Sequence, residues 1–116
     1  MADTTFRHGA PLMIDYTAGA DVDAGEVVLL GNTTGVTCGI AHRDIANGIL
    51  GAVAVGGGVY DVVNLNNAAD YAVVYWDNAA KKVTTTSTNN ATFGFIVADG
   101  GAGANTTAKA MHHPFA

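Results

Sequence analysis

The amino-acid sequence predicts an all-β fold, a small antiparallel β-barrel or sandwich with an extended N-terminal arm and little helix. Three observations predict it. Short apolar or β-branched runs recur about every ten residues, each bounded by Gly, Asn or Asp, the rhythm of strands separated by turns. No segment keeps an i, i+3, i+4, i+7 apolar pattern for three turns, so helix is confined to short turns near Ile45 to Asn47 or Asn66 to Asp70. The chain has 116 residues, 49% of them apolar and many of those alanine or valine, with 13% charged, which fits one small-residue domain.

Taken in order, residues 1–11 are polar apart from Phe6 and end at Pro11. They read as an extended arm that orders on a partner, or as a frayed terminus. A single β domain over 12–111 follows. Its strands are expected at Leu12 to Tyr16, Glu26 to Leu30 with a turn at Gly31-Asn32, Thr34 to Ala41, and Gly48 to Val55 running into Gly56-Gly57-Gly58 as a flexible hairpin loop. Val59 to Asn64, Tyr71 to Trp76, Lys82 to Thr86, Thr92 to Ala98 and Asn105 to Met111 complete the set. Residues 112–116, with His112, His113 and Pro114, read as a solvated tail.

The stretch YWDNAAKKVTTT shows how these readings are made. Tyr71, Val73 and Tyr75 fall on one face of a strand and Ala72, Val74 and Trp76 on the other, so the strand should be covered on both sides. Asp77 to Ala80 supplies the turn, where Asp77 can accept backbone N–H bonds, and the threonines return as a partner strand. Because one small barrel has one interior, the second apolar face, or that of Phe93 to Val97, is expected against a neighbouring subunit, with Tyr71, Tyr75, Trp76, Phe93 and Phe95 as interface candidates.

Charge and chemistry narrow the function. Ten acids against five bases give a net charge of −5, which leaves no basic face for neutralising phosphates, so direct nucleic-acid binding is not expected. No apolar stretch approaches the ~20 residues of a membrane helix and the N-terminus lacks a secretory core, so a soluble protein made in the cytoplasm is expected. Ser87 is the only serine and sits in a polar turn, while Cys38 has no spacing relation to His8, His42, His112 or His113 that marks a nucleophile and base. Asp21 and Asp23 lack the length and closing glutamate of a calcium loop, and adjacent His112 and His113 would point to opposite sides of a strand. Glu26 is the only glutamate and the aspartates fall mostly in turns, against paired-carboxylate chemistry. No enzyme, metal or cofactor is expected. A carbohydrate- or host-surface-binding module, with Trp76, Tyr75 and Tyr60 as stacking groups, is the alternative to a structural protein.

The order of elements carries a resemblance. Ile14-Asp15-Tyr16-Thr17, Asp23-Ala24-Gly25-Glu26-Val27-Val28, Asp44-Ile45-Ala46-Asn47-Gly48, Gly58-Val59-Tyr60-Asp61-Val62, the VYWDNAAKKVTTT stretch and Phe93-Gly94-Phe95-Ile96-Val97 together resemble the capsid cement, or head-decoration, proteins of tailed bacteriophages, over about Asp15 to Met111. In one departure the chain reads Asp70-Tyr71-Ala72 where many relatives place a glycine. The resemblance implies a β-barrel or β-tulip-like virion protein on the outer capsid surface, made in the host bacterial cytoplasm. It further implies a homotrimer whose partner is the major capsid protein and which stabilises the head against internal DNA pressure. Within the arm, Phe6, Arg7 and His8 set an apolar ring beside the arm's only cation and are the capsid-contact candidates. An arm of eleven residues reaches about 35 Å when extended, enough to cross onto an adjacent subunit and add a strand to a sheet edge.

Overall fold

A computed structural model describes residues 3–31 and 37–114. The described residues form ten strands and no helix: β1 Thr5–His8, β2 Leu12–Thr17, β3 Val27–Leu30, β4 Thr37–Ala41, β5 Leu50–Gly56, β6 Val59–Asn64, β7 Val73–Asp77, β8 Lys82–Thr84, β9 Ala91–Ala98 and β10 Thr106–His112. Asn32 of the expected turn and the first residues of the expected strand at Thr34 lie outside the described residues.

The strands make two sheets. The larger runs β1-β6-β10-β9-β7-β8, antiparallel throughout, and a parallel bridge between Asn64 and Val83 brings β8 back to β6. That bridge, with the Leu65 N–H donating to the Val83 carbonyl at 2.8 Å, closes β6, β10, β9, β7 and β8 into a barrel. Closure covers the β8 edge of this sheet and leaves β1, outside the closed ring, as its edge strand. The smaller sheet, β2-β5-β4-β3, packs against the barrel.

Alternation sets which side chains fill the barrel. In β7 Val74 and Trp76 are buried while Val73 is exposed and Tyr75 half-buried. Trp76, Phe93, Ile96, Val83, Val62 and Ala110 form one core with Cys38, Ile40 and Ala54 from the smaller sheet. Full burial of side chains such as Phe93 or Ile96 stabilises by roughly 1.5–3 kcal/mol each. The opposite face of the smaller sheet has its own core, where Val53, Val55 and Ala41 meet Ala18, Val22 and Ile45 from the connecting loops. This is why β4 is buried on both faces.

The YWDNAAKKVTTT stretch is a hairpin as expected, with Trp76 opposite Val83 and Asp77 opposite Lys82. Asp77 Oδ1 accepts the N–H groups of Ala79 and Ala80, both at 3.1 Å. Just before it, Tyr71 has φ +68°, a left-handed conformation that glycine adopts without penalty. The departure at Asp70-Tyr71-Ala72 thus falls on a position whose geometry suits glycine.

Three expectations are corrected. Gly56-Gly57-Gly58 is no hairpin loop: it carries the chain from β5 in one sheet to β6 in the other, and the Gly57 N–H donates to the His112 carbonyl at 2.7 Å. His112 is no solvated tail residue, because it completes β10 and is fully buried. The arm is not loose. β1 pairs with β6 through Thr5–Asp61 and Phe6–Tyr60, and Thr4, itself buried, donates its N–H and hydroxyl to the Gly25 carbonyl, each at 2.9 Å.

Candidate functional site

The carboxylates that sequence spacing suggested for turns are held in turns. Asp21 Oδ1 accepts the Asn47 N–H at 2.9 Å, Asp44 Oδ1 the Ala24 N–H at 2.8 Å, and Asp70 Oδ1 the Gly100 N–H at 2.8 Å. Each fixes a connection between strands. Ser87 is exposed, and its carbonyl accepts the Asn90 N–H at 3.1 Å in a turn. Cys38 is buried in the barrel core, and burial pushes its thiol up to about 12, so it carries no thiolate at neutral pH.

A column of rings runs under β1. Phe6 lies 4.9 Å from the His42 ring and 5.4 Å from that of Tyr60, centroid to centroid. His42 Nε2 and the Tyr60 hydroxyl share a hydrogen bond of 2.6 Å. Below them, His112 touches Tyr60 and Phe93 edge-on or tilted. Its Nε2–H donates to the Cys38 carbonyl at 3.0 Å, while buried Nδ1 has no described group within hydrogen-bonding reach. A proton on Nδ1 would be an unpaired cation in an apolar barrel, and burial accordingly drives the His112 pKa down to about 4. Burial lowers that of His42 as well and raises that of the Tyr60 hydroxyl. All three groups are neutral at pH 7, and the column is packing. Nothing in sequence spacing joined His42, Tyr60 and His112, since they come from a loop and two strands.

The predicted contact residues divide by burial. On β1, Phe6 is partly covered by the ring column, Arg7 lies 3.5 Å from the Asp61 carboxylate in a half-exposed ion pair, and His8 is exposed. Trp76 and Phe93 are fully enclosed in the core, which corrects their expectation as interface residues: their strand faces inward at those positions. The outward positions remain. Val73, 46% exposed, stands opposite Phe95, and Phe95 stands opposite Met111, so an apolar row crosses three barrel strands. Tyr75 flanks the row and Tyr71, 76% exposed, lies at its end of β7. The burial of Trp76 and of Tyr60 takes both rings out of the expected sugar-stacking platform and leaves Tyr75, half-buried on the outward side, as its remaining member.

A sequence model of phage cement proteins matches residues 7–111, nearly the whole chain. The chain belongs to the phage cement protein family. Among curated proteins and among solved structures nothing matched. Membership makes this chain a structural protein of the phage capsid, and the matched span takes in all but the first strand's opening residues and the end of β10. A cement protein works through its surface.

Proposed function

We propose that this cement protein attaches as a homotrimer to the outside of the assembled major-capsid lattice and holds neighbouring shell subunits together against the pressure of packaged DNA. The observation that carries the reading is the family match over residues 7–111. The outward apolar row of Val73, Phe95 and Met111, with Tyr71 and Tyr75, supports contact between copies, since a row of this kind is stabilised when a neighbour excludes water from it. Phe6, Arg7 and His8, on the edge strand of the barrel sheet, are the proposed shell contacts. Three copies presenting one patch combine modest contacts by effective concentration, so attachment can exceed a single contact by about 10²–10⁴. The chemistry is non-covalent and no catalytic step is assigned. Synthesis in the host cytoplasm precedes attachment to the finished shell.

Heads assembled without the protein provide the test. Added protein should co-sediment with them saturably and raise the temperature at which DNA is released. Arg7→Glu with His8→Ala should weaken attachment by about tenfold or more, equivalent to roughly 1.4 kcal/mol. Absence of binding, or an unchanged release temperature at saturation, would sink the reading.

A further inference from the structure

The smaller sheet ends in a strand that is open in a way the barrel is not. β2 pairs only with β5, and its other edge faces outward. Leu12 is 64% and Ile14 44% exposed, and Met13, Ile49 and Leu50 beside them are exposed too. The strand has no lysine and no internal proline to guard that edge; its one charge is Asp15. Ala18 donates its N–H to the Ile49 carbonyl and accepts from the Gly48 N–H. By the alternation of an antiparallel ladder, Tyr16 and Ile14 then turn their polar groups toward β5. Met13, Asp15 and Thr17 direct theirs to the open edge. An unguarded edge of this kind is suited to pairing with another extended strand.

We infer that the occupant is β2 of a second copy, paired antiparallel about a two-fold axis at Ile14, so that two smaller sheets join into one. Charge selects both partner and register. Met13 lines a largely apolar groove of about 320 Å³ together with Arg43, Asp44, Ile45, Ile49 and Leu50, where the Asp44 carboxylate accepts the Ala24 N–H and makes no ion pair with Arg43. Among the described residues Arg43 makes no ion pair or hydrogen bond, and neither does Asp15. With the axis at Ile14, Asp15 of the second copy lies directly opposite Met13 and on the same face, bringing its carboxylate to the groove that holds Arg43. The symmetry repeats this ion pair. On the other face Ile14 meets its own copy, and Leu12 meets Tyr16. Moving the axis to Asp15 would set two carboxylates opposite each other, and moving it to Met13 would bring Pro11, which has no N–H, from the ladder's margin opposite Thr17 to a place opposite Asp15. This contact uses none of the barrel row and does not rest on the shell-binding reading. A protein with both a two-fold and a three-fold contact could tie neighbouring clusters into a net.

Oxidative cross-linking of the full-length protein tests it. Ile14→Cys should yield a covalent dimer on a denaturing gel, whatever the native assembly. Wild type, whose Cys38 is buried, and Thr17→Cys, far from the axis, should not. In sedimentation, Asp15→Arg and Arg43→Asp should each weaken self-association about tenfold, and the double variant should restore it. No covalent dimer from Ile14→Cys, or charge effects that simply add in the double variant, would overturn the inference. A β2 edge that becomes protected only when the protein sits on shells would also overturn it, by assigning the edge to a shell strand.

Discussion

Tyr71 and His112 show how single residues carry the fold's constraints. Tyr71 sits at φ +68° with its side chain largely in water, and its N–H donates to the Ile96 carbonyl at 2.6 Å. Tyr71→Gly should therefore stabilise the free protein by on the order of 0.5–1 kcal/mol, the left-handed penalty of ~1–2 kcal/mol being partly offset by glycine's extra chain entropy. Thermal unfolding would read this as a rise of roughly 4 °C, and a fall would show that the tyrosine ring is packed. His112 gives a pH dependence. Its folded pKa, about 4, lies below the ordinary value of 6.5, so the unfolded chain binds the proton more readily. The stability it contributes is full above pH 6.5 and is lost as pH falls toward 4, by up to about 3 kcal/mol at 1.36 kcal/mol per pH unit. Urea unfolding at pH 7.5 and 5 should show the loss, with His112→Leu reducing it; equal slopes in both proteins would contradict the assignment. The hydrophobic pattern could not mark His112, because a histidine next to a histidine and a proline carries the local signature of a tail. Its burial comes from β9 and the Cys38 carbonyl, far away in the chain.

At the scale of elements, the strands from β2 to β10 were legible because each has its own apolar or β-branched run and its own turn. β1 was not. TFRH has no apolar alternation, and its strand state depends on β6, more than fifty residues later in the chain. The pairing of the arm bears on stability: deleting residues 2–10 removes β1, the Thr4 bonds to Gly25, the Asp3 carboxylate that accepts the Val27 N–H, and the ring that covers Tyr60. Loss of about 2–4 kcal/mol is expected from these hydrogen bonds and the uncovered aromatic surface. Chemical denaturation measures it, and an unchanged midpoint would show that β1 adds nothing to the free protein. The faces of β7 were also readable from alternation. Which face is inside was not, since period two separates Trp76 from Tyr75 without saying where the barrel closes.

For the whole molecule, an all-β domain was written in spacing and composition, whereas barrel closure and the division into two cores depend on pairings that no local window contains, such as Asn64 with Val83. The candidate site was legible in part. Of the five residues proposed for an interface, Tyr71, Tyr75 and Phe95 lie on the outward side, while Trp76 and Phe93 lie in the core. A surface that works by shape has no motif comparable to a catalytic triad, so composition could exclude chemistry more readily than it could draw the contact. The family match supplies the setting of a phage capsid, and the geometry offers surfaces suited to it. Cryo-electron microscopy of the parent virion tests the central claim most directly. The account predicts density fitting this ten-stranded fold at repeated lattice points on the outside of the head, grouped in threes. Density confined to the tail, or none on the shell, would contradict it.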